Sequence, residues 1–195
     1  MSILKISRLG HPILLEKTNP VKNIQDNEIK KIIYNMSETM IDAKGIGLAA
    51  PQVYINKQIM IFRTFNEDSD ENNEIKITAL INPKISKITN ETDEQWEGCL
   101  SIPGMLGLVK RYKKIKYEGL DMNGNIIKKE AEGLEARVVQ HEYDHLMGIL
   151  YTSRLVDEKA FGFSEEIEDF WKNQNKDKKD NNEFISSYKK NIKRY

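Results

Sequence analysis

Gly133-Leu134-Glu135-Ala136-Arg137-Val138-Val139-Gln140-His141-Glu142-Tyr143-Asp144-His145-Leu146-Met147 is the stretch on which the reading of this chain turns. It predicts a helix over 133–147, with Gly148 as the residue that ends it. Within that helix His141 and His145 stand four apart, so both imidazoles fall on one face and can reach one metal ion. Glu142, one step round, can face a water at that ion. Leu134 and Val138 lie seven and three residues before His141 and share its face, as the lining of an apolar pocket or as plain core. The same pentapeptide on a charged helix would also suit a solvated face, but two of the chain's three histidines sit in it.

A catalytic centre of this kind has three protein ligands and one open position, so the third ligand discriminates. A third histidine ten residues after the first would stand at 151, which is Tyr151. In a thermolysin-like arrangement a downstream glutamate serves, and Glu165 or Glu166 are available in a polar segment. The other candidate is Cys99, the sole cysteine, in Trp96-Glu97-Gly98-Cys99-Leu100-Ser101-Ile102-Pro103-Gly104. Alone it can form no internal disulfide, so it is a buried small hydrophobe or a thiol kept for its chemistry. Gly98 and Pro103 predict a shaped loop or a sheet edge there, a better setting for a ligand than a Val/Ile run.

Gly45-Ile46-Gly47-Leu48-Ala49-Ala50-Pro51-Gln52 forms a third segment of interest. Its glycines leave backbone N–H and C=O groups open to a ligand, and Gln52 adds an amide that can donate to an oxygen. The nucleotide-binding patterns GxxxxGK[ST] and GxGxxG are both incomplete here.

Outward from these segments, Ile29, Ile32, Ile33, Met36 and Met40 recur at helical spacing behind an N-cap at Asp26, and Gly45 stands just past the end. Strand-rich runs at 58–64 and 75–81 flank a polar loop at 66–74. A hairpin is predicted where Ile115, Tyr117 and Gly119 alternate with charged residues before the turn Asn123-Gly124 and a strand at 125–129. Together these predict an α+β fold: small antiparallel or mixed β-sheets packed around a central helix bearing HExxH, then a C-terminal helical or mobile tail. Residues 1–156 form the expected catalytic domain and 157–195 the tail, where Phe161, Phe163, Ile167, Phe170 and Trp171 suggest a short helix.

The 195 residues carry 30 Lys+Arg and 30 Asp+Glu, so no global field favours DNA or an anionic membrane. No run of 18 apolar residues and no signal-peptide pattern is present, which predicts a cytoplasmic protein. Charge is nevertheless segregated, since 172–195 holds eight Lys or Arg against three Asp or Glu, a net +5. That stretch reads as a solvated, mobile tail or a weakly amphipathic helix.

Gly45 to Gln52, Glu97 to Ser101 and Gln140 to His145 resemble, in order and without a mismatch at a fixed position, the motifs GxGxAAxQ, EGCxS and QHExDH of the peptide deformylases. The resemblance covers roughly residues 1 to 155. It implies removal of the formyl group from the N-terminal formyl-methionine of nascent proteins, with release of formate. It also implies Cys99, His141 and His145 as ligands of Fe²⁺, which Zn²⁺ or Ni²⁺ can replace, and Glu142 as general acid/base. Gln52 and the Leu100 N–H would form the oxyanion hole, and Gly45, Ile46 and Gly47 would pair with the extended formyl-Met peptide. The rival reading is a zincin-like metallopeptidase. One position departs from many relatives, which carry an arginine at the pocket mouth where this chain has Leu106.

Overall fold

A computed structural model of the chain describes residues 2–63 and 76–167. Helix α1 (Asn27–Asp42) starts where the Asp26 carboxylate accepts the Glu28 N–H at 2.9 Å, and its periodic residues Ile29, Ile32, Ile33, Met36 and Met40 are buried. The left-handed residue that ends it is Lys44 (φ 56°), not Gly45. Gly45 is needed instead for close approach, since a β-carbon there would lie 2.8 Å from Leu100 Cδ1.

Among the described residues eight strands follow: β1 (Gly47–Ala49), β2 (Ile59–Arg63), β3 (Ile77–Lys87), β4 (Thr92–Cys99), β5 (Ile102–Tyr112), β6 (Lys114–Leu120), β7 (Ile126–Glu132) and β8 (Phe161–Phe163). They form a five-stranded sheet in the order β1-β2-β3-β6-β7 and a three-stranded sheet β4-β5-β8, with every strand pair antiparallel. Strand β3 runs past the expected end at Ile81 because a bulge at Asn82 and Pro83 breaks the pattern without ending the pairing. Asn82 adopts φ 50° there, and its amide exchanges two hydrogen bonds with Val21.

Helix α2 (Gly133–Leu146) lies between the sheets. Its Ala136, Val138, Val139 and Leu146 pack with Met60, Phe62, Leu80, Ile115 and Tyr117 of the larger sheet, each large side chain contributing about 1.5–3 kcal/mol by its burial. Its other flank meets β5, where Arg137 donates to the Val109 carbonyl at 3.0 Å. Gly148 ends the helix at φ 72°, and no β-carbon fits there because the Leu15 carbonyl is in the way. The N-terminal arm closes over that end, with the Thr18 N–H and hydroxyl both donating to the Leu146 carbonyl.

Two expectations are corrected. Pro103 belongs to β5, the central strand of its sheet, but sits between the Ile102 and Gly107 pairings with β4 and ahead of the β8 pairing at Met105, where its missing N–H interrupts neither ladder. Phe161 and Phe163 are strand residues, and helical backbone begins only at 164. The chain also keeps packing past 156, since Ala160 and Ile167 are buried against Trp96 and Leu106. The loop at 66–74, the helix suggested by Phe170 and Trp171, and the basic stretch 172–195 lie outside the described residues. Among the described residues no helix is long and apolar enough to cross a membrane.

Candidate metal centre and active site

Helix α2 presents His141 and His145 one turn apart, with ring centres 5.0 Å from each other. Cys99 is the last residue of β4, past a register shift that follows Glu97, and this turns its thiol toward the helix. Its Sγ lies 3.2 Å from His145 Nε2, and one ligand atom from each of Cys99, His141 and His145 falls within 4.8 Å of the others. Ligands of a tetrahedral ion, each about 2.0–2.3 Å from it, stand about 3.3–3.7 Å apart, so the three are already near the required spacing. A thiolate with two imidazoles is a soft donor set suited to Fe²⁺, Zn²⁺ or Ni²⁺. The alternative third ligands are elsewhere: Glu165 and Glu166 are exposed, and Tyr151 stacks on the His141 ring at 5.9 Å.

The histidines differ in their second partners. His141 Nδ1 lies 2.9 Å from the Glu97 carboxylate, which fixes the ring and leaves Nε2 to face the centre. Glu97 is itself buried and held by Arg111 through two hydrogen bonds of 2.9 Å and by Arg137 at 2.7 Å. Burial alone would raise the Glu97 carboxyl, but the hydrogen bonds and charges of Arg111 and His141 together hold it well below the carboxylate range. Arg111 also pairs with Asp144, which Arg154 binds from the other side. Burial opposes a charge on His141, yet Cys99 and Glu97 outweigh it and raise its pKa. With Glu97 holding Nδ1, the ring offers Nε2 to a metal ion at the centre.

Glu142 is buried at the wall of the same cavity, and among the described residues its Oε2 has no hydrogen-bond partner. Burial raises its carboxyl to about 7, with the charge on Glu97 acting in the same direction and that on His141 opposing. Such a group can both accept and return a proton near neutral pH. Gln52, in a short 3₁₀ turn after β1, accepts the Ala49 N–H at 2.8 Å through its side-chain oxygen. Its Nε2 is thereby aimed at Cys99 Sγ (3.4 Å) and Ser101 Oγ (3.2 Å), beside the centre. Gly45, Ile46, Gly47, Leu100, Leu134 and Val138 all line this cavity. Leu106 does not: it is buried with Trp96, Ala160 and Ile167 behind β5.

The chain matches the family model for polypeptide deformylase over residues 3–161. It belongs to the peptide deformylase family. Peptide deformylases are metal-dependent hydrolases that remove the formyl group from nascent proteins. Peptide deformylase 1 of Bordetella pertussis is 45% identical over 161 residues, spanning 82% of this chain and 92% of the relative. The peptide deformylase of Thermotoga maritima superposes with a TM-score of 0.72 at 38% identity, covering 80% of this chain and all of that one. A Met-Ala-Ser-bound class I type b peptide deformylase from Acinetobacter baumannii gives 0.71 at 34% identity, over 79% and 99% of the two chains. The structure thus brings together, around one cavity, the residues that the resemblance implied, and adds Glu97, Arg111, Arg137, Asp144 and Tyr151, to which sequence reasoning gave no part in it. A signal existed for two of these. Arg137 and Asp144 stand four before and three after His141, on the inward face where a charge needs a partner.

Proposed function

We propose that Cys99, His141 and His145 hold Fe²⁺ in the cell, and that around it Glu142, Gln52 and Leu100 carry out deformylation. When bound, the metal supplies Lewis acidity for water activation near neutral pH. Glu142 takes the proton of the attacking water as the formyl carbon becomes tetrahedral. The Gln52 amide and the Leu100 N–H donate to the developing oxyanion, a role worth about 10²–10³ in rate per donor in other hydrolases. Glu142 then gives the proton to the leaving amine, the C–N bond breaks, and formate and a free methionyl amine result. Glu97 keeps His141 in register throughout by holding Nδ1.

Substrate placement follows from the fold. Strand β1 is the outer strand of its sheet, so Gly45, Ile46 and Gly47 can extend that sheet onto the peptide, while Leu134 and Val138 receive the methionine side chain. The observation that carries this reading is the convergence of Cys99, His141 and His145 with the partnerless Glu142 Oε2 in one cavity at the open edge of β1. Formate release from formyl-Met-Ala by iron-loaded protein tests it, and absence of formate overturns it. A nascent-chain substrate places the enzyme in the cytoplasm. Charge in 172–195 suits docking on ribosomal RNA, and truncation after Trp171 tests this by a loss of salt-sensitive co-sedimentation with ribosomes.

A further inference from the structure

We propose that the substrate cleft continues past Leu100 into a second groove, which receives peptide residues beyond about the third and favours acidic over basic side chains there. The proposal rests on the reading of β1 as the strand that pairs with the substrate.

The direction of the bound chain is set by two glycines. A β-carbon on Gly47 would overlap the Glu142 carboxylate, whereas one on Gly45 would meet Leu100 and Met40. The reacting formyl end therefore lies by Gly47, and the peptide runs antiparallel to β1, toward Gly45 and away from Glu142. Main-chain pairing cannot follow it further. Lys44 has φ 56° and Ala43 caps α1, so the protein backbone turns into the helix while the peptide goes straight on.

What lies beyond is a groove of about 740 Å³ that shares Leu100 with the catalytic cavity and is bordered by Ala43 and Asp42, the residues next to Lys44. Ile6, Tyr54 and Pro103 give it apolar walls. Lys5 and Arg8 stand along it on the N-terminal arm, both exposed, and Lys5 Nζ lies 5.9 Å from the centre of the Tyr54 ring. Among the described residues neither cation is paired with a carboxylate, and Lys44 adds a third positive charge where the two cavities meet. Among the described residues Asp42 is the one acidic side chain lining the groove. The balance is positive on an apolar floor, continuous with the place where main-chain recognition stops.

The test compares kcat/KM of the metal-loaded full chain on formyl-Met-Ala-Ser-Asp-Asp-Asp and formyl-Met-Ala-Ser-Lys-Lys-Lys. We expect the acidic peptide to be favoured about five- to tenfold at low ionic strength, with the ratio falling toward one at about 0.5 M salt. Lys5→Glu with Arg8→Glu should abolish or invert the preference, and Asp42→Asn should enlarge it. Formyl-Met-Ala is too short to reach the groove, so its kcat/KM should be unchanged in both variants. Equal rates on the two hexapeptides overturn the proposal, as does a preference that survives in the Lys5/Arg8 variant. Failure on formyl-Met-Ala itself, by contrast, would count against the catalytic reading.

Discussion

Gly47 and Glu142 compete for the same space: a β-carbon on Gly47 would overlap Oε1 and stand 2.8 Å from Cδ and Cγ of Glu142. The strand edge and the acid/base carboxylate are therefore fitted to each other. Gly47→Ala should push the carboxylate aside without touching a ligand, lowering kcat about 10²-fold, the usual result of moving a reacting group by about 1 Å. Metal analysis beside steady-state kinetics checks it, and activity within threefold of the parent would show that Glu142 has room to move.

The buried carboxyl of Glu142 sets the acid limb of the pH profile. Its pKa is raised from 4.5 to about 7 by burial, and a bound dication pulls it back down, so the midpoint in the metal-loaded enzyme lies between those values. The base works ionised, so kcat/KM should be full above the midpoint and lost below it. A limb centred above pH 7 in the metal-saturated enzyme contradicts this assignment.

Glu97 is the hinge of the ionic cluster. Glu97→Gln leaves Arg111 and Arg137 without their shared counter-charge, for an expected loss of about 3–5 kcal/mol of stability. Metal affinity should also fall about 10–100-fold, because His141 loses its anionic partner. A carboxyl held below its ordinary value contributes stability that is complete above the unfolded value of 4.5 and is lost as pH falls toward the folded one. Denaturant melts across pH 5 to 2 should show that acid loss in the parent and a flatter dependence in the variant.

Cys99→Ser replaces a thiolate by a hydroxyl that hardly ionises, so metal content after dialysis should drop to a small fraction of the parent's. Elemental analysis decides it. Full occupancy in the variant would return Cys99 to a packing role among Ile102, Val109 and Tyr151.

How far the sequence could be read depends on whether each element's cause is local. Helices α1 and α2 and the β6–β7 hairpin carry their periodicity, caps and turn residues within a few positions, and all three form where expected. Strand β4 does not, since Thr92-Asp93-Glu94-Gln95 shows no apolar alternation and pairs only because β5 lies alongside. Strand β8 has Phe161, Phe163 and Ile167 at spacings that fit a helix turn as well as a strand. The His141/His145 pair was legible from its spacing on one helix, whereas the choice of Cys99 over a downstream glutamate came with the family resemblance. The support of these ligands was not legible: Glu97, Arg111, Arg137 and Asp144 are tolerable inside only through one another, and partners up to 44 residues apart leave no mark on local composition.

The two hydrogen bonds from Thr18 to the Leu146 carbonyl span 128 residues, and they set when that part of the arm can settle during synthesis. Helix α2 completes the larger core and Thr18 clasps its end, so the part of the arm around Thr18 cannot settle until residue 148 has left the ribosome. At about 5–20 residues per second the arm waits on the order of ten seconds for its partner. The arm is thus tied down in two stages: Ser2 and Leu4 can settle on Asn35 and Thr39 as soon as α1 is made, whereas Thr18 stays open until the far end of α2 exists.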